Sequence, residues 1–376
     1  MEPIYLDHHA TTPCDPRVVE QMLPFFTEVF GNPASLTHPH GRRAANHLED
    51  ARISIARFFR VEPNEILFTA GATESNNIAL HLLRPGDHLI TSMTEHKSVL
   101  APAERLRQKA GVEVTLLEPD GEGRIEAAAL ARAMRPNTKL VSIEAANGEI
   151  GTVQPIAEIG ALCRERQIVF HSDITQAAGK VAVSLANADL ASFSGHKMYG
   201  PKGIGGLFVR RGVRLEPVVT GGGQEKGIRS GTVNVPGAVG MAAALQIRAE
   251  EMQAEGPRLA GIRDAMLEGI LEAIPGVTVN GPRALRLPGN LNVSFERVDA
   301  ESLIIAMRRF SLSSGSACSS GERGPSRVLR AIGLDDAKAM GSIRIGLGKS
   351  NTMEHAHMLV EDLTRVVARL REISAA

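Results

Sequence analysis

The feature that most constrains this chain is an alternation: short runs rich in β-branched residues are separated by helix-length stretches. The runs His88–Ser92, Glu113–Leu117, 139–143, 168–173 and Leu190–Ser194 read as strands, and their spacing predicts an α/β sheet. Between strands, 44–59 places Ala44, Leu48, Ala51, Ile55 and Phe58 at three- and four-residue steps, the period of an amphipathic helix, with Gly41 and Pro63 as brackets. Another helix is expected to start in Gly71-Ala72-Thr73-Glu74-Ser75, directly after the apolar run Ile66–Thr69. Past Gly221 to Gly223 the pattern changes to a long Ala- and Leu-rich helix over 238–274, then strands at 291–295 and 343–345 and a last helix over 355–370. With 376 residues, more than one typical core requires, this reads as two bodies. The expected division is a large, mainly parallel-sheet domain over 15–245 and a smaller α+β domain built from 1–14 and 246–376.

Composition excludes several function classes. Apolar residues make up 43% and charged residues 22%, the balance of a globular protein rather than a disordered one. The 42 basic and 42 acidic side chains cancel, so the basic footprint of a nucleic-acid or anionic-membrane binder is missing. Aromatic residues are 3%, with no Trp and only Tyr5 and Tyr199, which leaves few rings for stacking single-stranded bases. No apolar run reaches the roughly 18 residues of a membrane span and no signal peptide opens the chain, so a cytoplasmic protein is expected. Cys14, Cys163 and Cys318 are too far apart for a disulfide framework or a structural zinc site.

Several motifs fail on inspection. Gly346-Leu347-Gly348-Lys349-Ser350 ends like a P-loop but has Ile343 where the first glycine belongs. His355 and His357, two apart on a helix, cannot share a metal, and His38 and His40 have no companion ligand nearby. No Gly-x-Ser-x-Gly elbow surrounds a serine. No metal site is expected.

The informative pair is Asp173, closing one strand, and Lys197, just past another in Ser194-Gly195-His196-Lys197. Ligands of open α/β sheets bind at the carboxyl ends of strands, so the two residues face one crevice. A lysine able to form a Schiff base and a carboxylate able to pair with a pyridinium nitrogen are what a protein supplies to pyridoxal 5'-phosphate. The phosphate needs donors. Ala72 and Thr73, at a helix N-terminus, suit a dianion, and Ser194 and His196 add side-chain donors.

Taken together, the residues resemble the NifS/IscS-type cysteine desulfurases, a branch of the class V pyridoxal-phosphate aminotransferases. The resemblance runs from Tyr5-Leu6-Asp7 and Ala10-Thr11-Thr12-Pro13 through Gly31-Asn32-Pro33-Ala34-Ser35, Gly71-Ala72-Thr73, Thr94-Glu95-His96-Lys97 and Glu149-Ile150-Gly151. It continues through Arg229-Ser230-Gly231-Thr232, Ser316-Ala317-Cys318 and Arg344. It implies a type I aminotransferase-like fold, a homodimer, and conversion of L-cysteine to L-alanine with sulfur held as a persulfide on Cys318. By the same resemblance, Lys197 is the Schiff-base lysine, His96 stacks on the ring and serves in proton transfer, and Gln176 bonds the ring hydroxyl. Thr232 reaches the phosphate from the partner subunit, Arg344 holds the substrate carboxylate, and Asn32 and Asn147 belong to the substrate region. An iron–sulfur scaffold or another sulfur-acceptor protein is the implied partner.

Cys318 lies in 311–325, a segment rich in Ser and Gly and expected to form a mobile arm, whereas Cys163 falls at helical spacing with Ile159 and Leu162 and is expected to pack in the core. One position departs from the family pattern: Gly148 stands where a second Asn is usual, so either Asn147 or a water fills the gap, or the activity or substrate preference is altered. Glu144 has no role readable from sequence. Two other functions stay open: a selenocysteine lyase or other amino-acid lyase using the same cofactor, and a non-catalytic scaffold that keeps the cofactor pocket.

Overall fold

The computed structural model describes residues 3–314 and 324–375. Its centre is a seven-stranded sheet in the order Ile66–Thr69, Gly205–Val209, Leu190–Ser194, Val169–Asp173, Thr138–Ser142, His88–Ser92, Glu113–Leu117. The last five strands run parallel, and Gly205–Val209 is antiparallel to both of its neighbours. Ile66–Thr69, His88–Ser92 and Leu190–Ser194 are buried at every position, as a sheet covered by helices on both faces requires.

The first long helix, Pro39–Phe59, buries the expected stripe of Ala44, Leu48, Ala51 and Ile55. Gly41 does not bracket it but lies inside its first turn. His38 caps the helix by accepting the Gly41 N–H at 3.2 Å. A Cβ at Gly41 would come within 1.9 Å of the Ser35 carbonyl, so this glycine marks a close chain crossing rather than a helix boundary.

The helix expected over 238–274 runs from Val235 to Ala273, capped by Asn234. At 39 residues it is roughly 58 Å long and serves two cores. Its first half packs Met241 and Leu245 under the large sheet, while its second half packs Met266 and Ile270 with Leu291, Val293 and Ile343. That second core covers an antiparallel sheet ordered Ser313–Ser314, Ser342–Gly346, Asn290–Phe295, Val277–Val279, against which the last helix, Met353–Ala375, also packs. The chain start belongs beside this body: Ile4–Tyr5 pairs with Phe310–Ser311, and Asp7 bridges to Gly346. Among the described residues no helix is long and apolar enough to cross a membrane.

Candidate active site

A cavity of about 1430 Å³ opens at the carboxyl ends of the parallel strands, with Arg344 of the antiparallel sheet also in its lining. Val169–Asp173 and Leu190–Ser194 are hydrogen-bonded neighbours with Asp173 opposite Ser192, so Asp173 and the turn carrying Lys197 emerge side by side. Both residues line the cavity, together with Ala72, Thr73, His96, Asn147, Gln176, Ser194, His196 and Arg344.

Each of these groups is held. Asp173 Oδ1 accepts the Thr175 N–H at 3.0 Å, and Oδ2 accepts the Asn76 amide at 2.8 Å. Lys197 Nζ donates to the carbonyls of His9 and Ala10 at 2.7 and 2.6 Å. His96 caps the helix Lys97–Ala110: its Nδ1 accepts the Ser98 N–H at 3.1 Å and lies 2.7 Å from Ser98 Oγ. Burial, aided by the charges of Lys197 and Arg327, pushes the His96 pKa below the usual imidazole range despite the opposing charge of Asp173. His196 is lowered to about 4, first by burial and then by the nearby lysines Lys197, Lys202 and Lys180, so it is a neutral hydrogen-bonding group at pH 7. Ala72 and Thr73 open the helix Ala72–Leu80 behind Gly71, which offers no capping side chain, so the first-turn N–H groups stand at the cavity wall. Arg344 is buried, with Nη2 on Asp7 Oδ1 at 2.7 Å and Nη1 on the Gly148 carbonyl at 3.3 Å.

The Asn147 side chain does not fill the gap at Gly148. Asn147 is fully engaged: its amide N–H groups go to Thr94 O and Glu144 Oε1, and its carbonyl oxygen accepts from Glu149 N and Ile150 N. Gln176 occupies the space instead, because a Cβ at Gly148 would lie 2.5 Å from Gln176 Nε2. Gln176 donates to His9 O at 3.0 Å and accepts from Lys180 Nζ at 2.8 Å, which latches it there.

The cavity lining also carries Glu95, Glu144, Glu149 and Arg327. Glu144 takes up the Asn147 amide through Oε1 and gives its own N–H to Glu95 Oε1, so it ties down the 147–150 turn. Burial raises the Glu144 pKa to about 8, with Asp173 adding to the shift, and raises Glu149 to about 7. Glu95 is raised well above the carboxylate range by burial and by Glu144 and Asp173.

Not every expected residue reaches the cavity. Asn32 is exposed and accepts the Ala34 N–H, and Thr232 is exposed as well; neither lines the cavity within one chain. Cys318 lies outside the described residues. Cys163 is buried, and burial pushes its thiol up to about 12, an unreactive state. Among the described residues no group of three His, Cys, Asp or Glu side chains is arranged to hold a metal ion. Sequence reasoning missed His9, Asn76, Ser98 and Lys180. Only Asn76 carried a hint, lying three residues after Thr73 on the same helix.

A mainly parallel sheet beside an antiparallel sheet with its own apolar core, and a lysine and an aspartate at adjacent strand ends, define an aminotransferase-type architecture. The chain belongs to the class V aminotransferase family, whose pattern matches residues 4–359. These enzymes use pyridoxal phosphate. Among relatives, the cysteine desulfurase IscS of Anaeromyxobacter dehalogenans (strain 2CP-C) is 47% identical, over 99% of this chain and 94% of that protein. Among solved structures, a NifS-like protein superposes with TM-score 0.90 at 35% identity, covering 98% of this chain and 100% of the other. A structure described as SspA in complex with cysteine gives TM-score 0.80 at 38% identity, covering 92% and 98% respectively.

Proposed function

We propose that this chain is a pyridoxal-phosphate-dependent cysteine desulfurase that converts L-cysteine and the Cys318 thiol to L-alanine and a Cys318 persulfide. The observation that carries the reading is the delivery of Lys197 and Asp173 by hydrogen-bonded neighbouring strands to one cavity. The donor set fits the cofactor. An amine is present for its aldehyde, a doubly oriented carboxylate for its ring nitrogen, and an uncapped helix start with Thr73, Ser194 and His196 for its phosphate. When bound, the cofactor supplies an electron sink for the substrate's α-carbon.

The protein's own residues do the rest. Arg344, pre-set by Asp7 and the Gly148 carbonyl, offers its planar fork to the substrate carboxylate. Lys197 holds and moves a proton at Nζ, and His96 provides a ring to stack on the cofactor and a second proton-handling group. Gln176 and Lys180 present an oriented amide to the ring hydroxyl. The Cys318 thiolate attacks the substrate sulfur: an S–S bond forms, the carbon–sulfur bond breaks, and the carbon fragment takes up a proton to become alanine. Asn147 borders the substrate region.

The same reading includes a homodimer, in which Thr232 and Asn32, exposed and outside the cavity in one chain, complete the partner's site. It includes the division into 15–245 and 1–14 plus 246–376, supported by the separate apolar cores. It also includes a cytoplasmic location and an iron–sulfur scaffold or thiolation protein as sulfur acceptor. The test is Cys318→Ala with L-cysteine and L-selenocysteine. Loss of alanine formation from cysteine is expected, while the parent rate on either substrate would favour a lyase that needs no cysteine.

A further inference from the structure

Behind the cavity wall, Asn76 links two groups that the proposed chemistry uses separately. Its side chain is fully buried, and its one amide nitrogen donates to Asp173 Oδ2 at 2.8 Å and to Ser98 Oγ at 2.8 Å. The orientation of the amide is fixed by chemistry. Turned over, its carbonyl oxygen would face the Asp173 carboxylate, acceptor against acceptor. In the observed orientation, Asn76 Oδ1 is buried with no hydrogen-bond partner among the described residues. Leaving a buried acceptor unpaired is costly, so the position is shaped around its two N–H groups.

Because Ser98 Oγ accepts from Asn76, the Ser98 hydroxyl hydrogen is available to His96 Nδ1, 2.7 Å away. The backbone N–H of Ser98 also donates to that nitrogen, at 3.1 Å. A hydrogen on Nδ1 would confront the Ser98 backbone N–H, so the neutral ring carries its hydrogen on Nε2 and leaves Nδ1 to accept from the Ser98 hydroxyl as well. The charged groups acting on the ring are Asp173, Lys197 and Arg327.

We propose that Asn76 is a positioning residue: it orients Asp173 and makes Ser98 a donor, so that His96 enters the reaction with Nε2 protonated, as a hydrogen-bond donor. The first proton is then left for Lys197 to take. This assignment rests on the desulfurase reading but is tested apart from it.

The experiment is a long-range 15N–1H correlation spectrum of the full-length, histidine-labelled protein, with and without cofactor, in which His96 is identified by the peak missing in His96→Asn. The Nε2–H form is expected at and above neutral pH in the unaltered protein. In Asn76→Asp the new carboxylate takes the Ser98 hydroxyl, and in Ser98→Ala the hydroxyl is gone; in both, the His96 titration midpoint is expected to rise by about one unit. An Nδ1–H form in the unaltered protein overturns the proposal even if no variant folds, as does an unmoved midpoint in folded variants. Either result leaves the desulfurase reading standing, whereas an Nε2–H ring in a protein that makes no alanine removes that reading alone.

Discussion

Two sets of residues lining the cavity are built on opposite principles. In one, Asp173, His96 and Gln176 each have defined partners, and Lys197 rests on two carbonyls. In the other, three carboxyls, Glu95, Glu144 and Glu149, all act on the guanidinium of Arg327, and Glu95 Oε2 and Glu149 Oε1 have no partner among the described residues. The first set fixes charge in place. The second is too deeply buried to ionise fully, so it stores protons near neutral pH. Polar groups lining one cavity can therefore divide between those set for chemistry and those that set how the protein responds to pH.

The sharpest way to break this contrast is Lys197→Ala. Turnover of L-cysteine is expected to fall on the order of 10³-fold or more. Borohydride reduction followed by mass measurement should then show no covalently retained cofactor, and retention would deny Lys197 its assigned place. Arg344→Lys keeps the charge but loses the planar fork, and KM for L-cysteine is expected to rise roughly 10- to 100-fold with a smaller change in kcat. An unchanged KM would place the substrate carboxylate elsewhere.

Gly148→Asn sharpens the comparison within the anchored set. The new side chain must displace Gln176 from His9 and Lys180, and a stability loss of about 1–3 kcal/mol is expected by chemical denaturation. Gln176→Ala in the same chain should relieve most of that loss, and additive losses would mean that the two positions are independent.

The smallest effect concerns the proton-storing carboxyls. The pKa of Glu144 is raised from 4.5 to about 8, so the native state keeps a proton that the unfolded chain releases. Its stabilising contribution is fully present below about pH 4.5, falls as pH rises and is gone once the pH has passed about 8. Glu144→Gln keeps an acceptor for Asn147 but cannot titrate, so its melting temperature should decline less over that window. Identical slopes for the two proteins would count against a proton-storing Glu144.

Much of the anchored set was legible in the sequence because strand order does the placing. Asp173 and Lys197 each sit at the end of an apolar run, and adjacent parallel strands bring such ends together. The rest depends on contacts that no local pattern encodes. Lys197 finds its carbonyls in the chain start, more than 180 residues away, and Asn76 meets Asp173 across 97 residues. Gly41 was misread because a glycine required by a close chain crossing looks, in sequence, like a helix boundary. At Gly148 the sequence pointed to its neighbour Asn147 or a water, whereas the Gln176 side chain lies against the glycine, brought there by the adjacent ends of two parallel strands.

The central claim is tested most directly by mixing the cofactor-loaded protein with L-cysteine and quantifying alanine alongside persulfide on Cys318 by mass spectrometry. The two products should appear in equal amounts during the first turnover. Alanine with an unmodified Cys318, or bound cofactor with no alanine at all, would contradict the account.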